Sequence, residues 1–192
     1  MKFTHLHTHS HYSLLDGMSK VKDMVKLAKE HGMTAIGLTD HGVMYGAIDF
    51  YTACVKNGIK PIIGVEAYVA NRSRFQKEPN VDNKRYHLTL LAKNNTGYQN
   101  LIKLTTKAHL EGYYYKPRVD KDLLREHSEG LIALSGCPGS ELGRAIQSGN
   151  KEKAEKIILE YQAIFGPENY YLEIMNHPDV EFFQEWKSAL IE

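Results

Sequence analysis

Two cysteines, Cys54 and Cys137, are too few for a disulfide framework, which excludes a disulfide-stapled scaffold and makes a reducing, cytoplasmic setting the expectation. Charge of one sign is lacking too. The 24 Lys and Arg against 23 Asp and Glu leave a net charge of +1, which argues against a generally basic nucleic-acid wrapper but leaves room for a local basic patch. No apolar run approaches the length of a membrane span and no apolar leader follows Met1, so neither a spanning helix nor a signal peptide is expected. The Asn-x-Ser/Thr matches at Asn71 and Asn94 then read as chance. Internal repeats and low-complexity linkers are missing as well. A chain of 192 residues, 42% hydrophobic and 24% charged, suits one globular domain with its own core.

What the chain has in abundance near its start is histidine. Residues 5–17 read HLHTHSHYSLLDG, with His5, His7, His9 and His11 at alternate positions and Asp16 close behind. In an extended strand alternate side chains share a face, so the imidazoles form a row. Imidazole nitrogen with a carboxylate in reach is the donor set of zinc, iron or manganese sites in hydrolytic centres. An expression tag or a solvated polar strand is the plainer account. Tags are contiguous, whereas Leu6, Thr8 and Ser10 interrupt this row.

Further along, strands and helices alternate. The pattern predicts strands at 3–9, 34–40, 61–69, 87–93, 130–136 and 169–177. Helices are predicted from a Ser19 cap to Gly32, at 44–56, at 97–109, a short one from Asp120, at 150–165, and a last one through Trp186. The polar stretch 71–85 reads as a loop. Six β-α units point to a parallel sheet or an α/β barrel. Barrels collect their chemistry at the C-terminal strand ends. Here His7 and His9, Asp40-His41, Glu66, Cys137 and Asn176-His177 fall at or just past such ends, which favours the barrel over an open sheet with one switch point.

Each donor also has a plainer role. Asp40-His41 could cap the next helix, although histidine is a poor N-cap. Cys137 in SGCPGS could be a small buried filler. Glu66 is costly to bury unless paired or metal-bound, so a bridging carboxylate is its better account. By the barrel rule His87 begins a strand and belongs to the wrong mouth, which makes it structural. His31, His109 and His127 read as solvated, and Cys54 as core.

HLHTHS, TDHG, GVEAYV and SGC together resemble the successive motifs of the PHP (polymerase and histidinol phosphatase) family, metal-dependent phosphoesterases on a distorted seven-stranded β/α barrel. SLLDG, GIKPIIGVEAYV, HLTLLAKNNTGYQNLIKL, LEGYYYKPRVD and EGLIALSGCPGSEL resemble more narrowly the amino-terminal PHP domains of bacterial replicative DNA polymerase III alpha subunits, from Phe3 to the LEIMNH segment. The resemblance implies a distorted (β/α)7 TIM-like barrel and up to three divalent ions, whether zinc, manganese, iron or magnesium. It implies His7, His9, Asp16, His41, Glu66, His87 and Cys137 as ligands, with Glu66 bridging two ions and Asp16 with His41 serving a third. Asp40 stands beside the site with Glu66 as a catalytic candidate, in a position to orient a ligand. His87 is thus promoted against the barrel argument.

The same resemblance implies a final Asp-x-His motif on a seventh strand, absent from these residues. The chain is therefore expected to be a PHP domain incomplete at its carboxy-terminal end, without polymerase palm, fingers or clamp-binding parts. The implied activity is metal-assisted phosphodiester hydrolysis acting as a 3′–5′ proofreading exonuclease. Its partners would be a DNA primer-template and other replicase subunits, among them a separate proofreading exonuclease and the sliding clamp. Lys and Arg of the 71–85 loop are candidates to hold the DNA backbone. The alternatives are a metal-stabilised scaffold that docks the separate exonuclease and a stand-alone small-phosphate phosphatase.

Overall fold

PIIGVEAYVA, a run with hardly a polar residue, becomes the spine of the sheet. In the computed structural model, which describes residues 3–14, 16–177 and 179–191, the elements follow in this order: α1 (Val21–Glu30), β1 (Ala35–Leu38), α2 (Ala47–Asn57), β2 (Lys60–Ala70), β3 (Arg85–Ala92), α3 (Asn95–Leu110), β4 (Arg118–Val119), α4 (Lys121–Glu126), β5 (Leu131–Leu134), α5 (Glu141–Gln147), α6 (Lys151–Phe165), a 3-10 turn (Pro167–Asn169), β6 (Tyr170–Tyr171) and α7 (Glu181–Ile191). The strands run in the order β1-β2-β3-β5-β6, with β4 beside the end of β2. β2 is parallel to β1 and β4, and β5 is parallel to β6.

β3 breaks the expected parallel pattern. It is antiparallel to both β2 and β5, with Tyr68 opposite His87 and Glu66 opposite Thr89. The start of β3 therefore lies at the same mouth as the ends of its antiparallel neighbours β2 and β5. That corrects the inference that His87 sits at the wrong end. Alternation does the sorting: Val65, Ala67 and Val69 of β2 and Leu88 and Leu90 of β3 enter the main core, whereas Glu66, Tyr68, His87 and Thr89 face the opposite side. A smaller core holds Val21, Val25, Ile36, Leu38, Phe50 and Cys54 between α1, β1 and α2.

Two expected strands are not regular ones. Residues 3–9 lie along β1, giving Gly37 N–H to the His5 carbonyl at 2.7 Å and Thr39 N–H to the Thr8 carbonyl at 2.9 Å. Side chains replace the other ladder bonds, since Thr8 Oγ1 donates to the Gly37 carbonyl and Thr39 Oγ1 accepts from Thr8 N–H. Gly37 is what allows the approach, because a Cβ there would stand 2.6 Å from the Leu6 carbonyl oxygen. The sixth strand stops at Tyr171, so Asn176-His177 does not close it. His177 is exposed and packs its ring on Phe183. The helices agree better. Asp120 and Asn150 cap α4 and α6, but the residue before α1 is Lys20, with no side-chain cap. Ser19 instead accepts His11 N–H through its carbonyl. α5, capped by Ser140, was too short to show a period. His127 is buried beside α4 rather than solvated, while His109 is half-buried and bonds the Thr105 carbonyl through Nδ1.

The 71–84 loop joins the two central site strands, and ion pairs order it. Arg72 binds Glu78 and the buried Asp82, and Arg74 binds Glu111 and Asp120. These two arginines spend their charge on carboxylates of the chain itself, which weakens them as candidates for DNA contacts. Arg118, fully buried, donates to the carbonyls of Gly112, Asp82, Arg74 and Gln76 at 2.7–3.1 Å. Arg118→Met leaves those acceptors without a donor and is expected to destabilise the chain by about 3–5 kcal/mol, read as a lower urea midpoint with an unchanged slope.

Candidate metal centre

One carboxylate organises the mouth of the sheet. Glu66 is 1% exposed, and four imidazoles converge on it. His7 Nε2 lies 3.3 Å from its Oε1 and His87 Nδ1 3.0 Å from the same oxygen. On the other oxygen, Oε2, His41 Nδ1 makes an ion-pair contact and His9 Nε2 stands 3.7 Å away. His7 and His9 arrive on the irregular first segment. His41 comes from the residues after β1, which meet β2 through a bridge to Glu66. His87 comes from the start of the antiparallel strand. His9 and His41 stack with centroids 4.0 Å apart.

Around this group stand the remaining sequence candidates. Cys137 Sγ is 3.4 Å from His87 Nδ1 and 3.7 Å from Glu66 Oε1. Asp16, whose side chain is 59% exposed, reaches His41 Nε2 at 2.7 Å from the outer edge. Asp40 is buried and turned away from the imidazoles. Its carboxylate accepts from Ser10 N–H, Ser10 Oγ and Ser13 Oγ at 2.7–2.9 Å, which fixes the turn after His9. That geometry suits positioning. His5 and His11 face outward against Phe3 and Tyr12; for His11 the cause is the turn at Ser10, which ends the alternation.

Glu173, just past β6, is the residue sequence reasoning missed. Its Oε1 lies 2.7 Å from His7 Nδ1, its Oε2 accepts from Thr89 Oγ1, and its N–H is held by Ser135 Oγ. The signal was a lone acid after the apolar YYL, as Glu66 follows an apolar run. The expectation that the strand ran on to His177 hid it.

Divalent ions are the group that the motifs imply, and the donors fit them. Two sets of ligand atoms, each within 4.8 Å of one another, occur among the described residues: His7, His9 and Glu66, and His41, Glu66 and His87. Glu66 is common to both. His7 Nε2, His9 Nδ1, His41 Nδ1 and Glu66 Oε2 are buried without a well-formed hydrogen bond, although His7 and His41 press against Glu66. Acceptor atoms facing one another repel unless positive charge lies between them. In the metal-free chain protons fill that role. Burial opposes charge on His7, but Glu173 and Glu66 outweigh it and push its pKa up to about 9. His41 also rises, with Glu66 and Asp16 outweighing burial. Burial and then the neighbouring His41 charge lower His9. Burial would raise Glu66, but its contacts with His41, His7 and His87 hold it well below the carboxylate range. Burial and then Glu66 push the Cys137 thiol up to about 11.

The PHP domain family matches residues 5–177. DNA polymerase III subunit alpha of Treponema pallidum is 51% identical over 178 residues, 92% of this chain and 15% of that protein. The subunit of the same name from Thermus aquaticus is 49% identical over 181 residues, again 92% of the chain and 15% of the relative. The chain thus spans about a sixth of the length of these relatives. Among solved structures, a protein of Bifidobacterium adolescentis assigned as a metal-dependent phosphoesterase superposes with a TM-score of 0.55 at 13% identity, covering 99% of this chain and 82% of the other. An amidohydrolase of Chromobacterium violaceum gives 0.55 at 17% identity, covering 89% and 76%. At such identities these two speak for the fold alone, an α/β mixed sheet of the distorted-barrel type. With the motifs, the fold and a match over most of its length in agreement, the chain belongs to the PHP domain family.

Proposed function

We propose that this chain is the amino-terminal PHP domain of a replicative DNA polymerase alpha subunit and that its centre hydrolyses phosphodiester bonds, removing nucleotides from a 3′ end. The observation that carries the reading is the buried Glu66 shared by two imidazole sets, a bridging arrangement suited to paired ions. Divalent ions held there would supply Lewis acidity to an attacking water and to the phosphoryl oxygens. The protein's own part is to hold the donors. Glu173 keeps the His7 ring oriented, Asp40 fixes the turn that carries His9, and Asp16 steadies His41 from the solvent side. Cys137 and His87 close the far edge.

The test is release of the terminal nucleotide from a 3′-labelled primer after loading with manganese or zinc. His41→Ala should lower the rate about a hundredfold or more, since even outer partners of ligands cost 10–100-fold. Metal-loaded protein without turnover on mismatched or single-stranded ends would favour the scaffold reading.

A further inference from the structure

The cations of this fold divide into two kinds. Arg72, Arg74, Lys107, Lys121 and Arg125 each meet a carboxylate. Arg85 and Lys116 meet none among the described residues, and both lie beside the metal centre. Arg85 Cζ stands 5.4 Å and Lys116 Nζ 5.7 Å from the centroid of the Tyr68 ring. That ring is stacked 6.1 Å from His41 and edge-on 5.3 Å from His87. Arg85 spends one nitrogen on the Asn83 carbonyl, while its Nε is buried with no partner. The guanidinium carries its full charge with no carboxylate partner among the described residues, so its accessible nitrogens favour an anion.

Lys116 is placed by a tight turn whose tip carries an exposed aromatic ring. Tyr114 pairs with Lys116, and Tyr115 between them takes a φ of 61° and is 67% exposed. A left-handed backbone at a non-glycine residue is strained; the ring packs edge-on against the half-buried Tyr114, centroids 4.7 Å apart, and its outer face is left open. Pro117 anchors the turn against Gly42 and Tyr68, next to His41.

We propose that Arg85 and Lys116, seated on Tyr68, hold the phosphate backbone of a single nucleic-acid strand at the mouth of the metal centre, with Tyr115 as a stacking face for a base. The assignment rests on the phosphodiesterase reading above and names the strand-holding residues for it. Cations on the backbone with an aromatic face for the bases are the means by which single strands are held without sequence preference.

The experiment measures binding of a fluorescent oligothymidylate to the 192-residue chain in EDTA, by anisotropy over a series of salt concentrations. Arg85→Gln and Lys116→Gln should each weaken binding at low salt about three- to tenfold and reduce the salt slope by about one. Tyr115→Gly, which also relieves the backbone, should weaken it at least about fivefold with the slope unchanged. Lys156→Gln, on the distant α6, should change nothing. Equal losses in Lys156→Gln and Lys116→Gln, or affinities within twofold of the parent for both charge variants, would overturn the proposal. Loss in the charge variants with none in Tyr115→Gly would overturn the strand in favour of an isolated phosphate. Because no metal is present, failure of the hydrolytic reading leaves this result intact. Conversely, hydrolysis that persists while these variants bind normally refutes the clamp alone.

Discussion

Glu66→Gln is expected to abolish metal binding at both positions at once. The parent should hold about two equivalents of zinc or manganese after loading and desalting, and the variant less than about 0.2, because N/O sites of this kind hold transition metals well only while the anionic oxygen is present. Glutamine keeps the volume but not the charge. His7, His9, His41 and His87 would then converge on a neutral amide, and cations placed among buried imidazoles would lose their shared carboxylate. His87→Ala makes the contrast, since it belongs to only one of the two sets and should cost about one equivalent. In the metal-free state the glutamine variant also leaves the protons of His7 and His41 facing no buried anion at Glu66. Breaking a buried pair from one side costs about 3–5 kcal/mol. Elemental analysis that found Glu66→Gln retaining more than one equivalent would dispose of the bridging role.

Much of this centre was legible in the residues themselves, and the failures are informative. Alternation at His7 and His9 and a lone carboxylate in an apolar run are local signals, and the structure brings those residues together. Strand direction is not local. Nothing in HLTLLAK says that it runs antiparallel, so His87 looked misplaced until β2 and β3 were seen to pair. Strand ends depend on neighbours too. β6 stops at Tyr171 as the chain leaves β5, which moves the site contact from His177 to Glu173. The arginines of the 71–84 loop were attractive DNA contacts on charge alone. Arg72 finds Glu78 and Asp82 within the loop, but the partners of Arg74, Glu111 and Asp120, lie 37 and 46 residues away, beyond any pattern in the loop itself.

Chelation should lower the melting temperature of the loaded chain by about 5–10 °C per site, and the difference should widen between pH 6.5 and 9. The size follows from linkage: free metal at about a hundredfold its dissociation constant adds about 2.7 kcal/mol, and each kcal/mol moves the midpoint by about 2–4 °C at this chain length. The first segment, β2, β3 and the ends of β1, β5 and β6 all supply contacts, so an ion here ties together segments far apart in the chain. The pH sign comes from His7. Its pKa rises from 6.5 to about 9 in the metal-free fold, so the stability it contributes is fully present below about pH 6.5 and is lost as the pH climbs through about 9. Cys137, a thiol raised to about 11, pulls in the same direction only at the top of that interval. His9 is lowered, so its titration lies below the interval. Metal binding needs the imidazoles unprotonated and gains as the protons leave. The metal-free midpoint should therefore fall from pH 6.5 to 9 while the loaded one holds, and a gap that stayed constant or narrowed would mean that the ions do not occupy the positions held by the His7 and His41 protons.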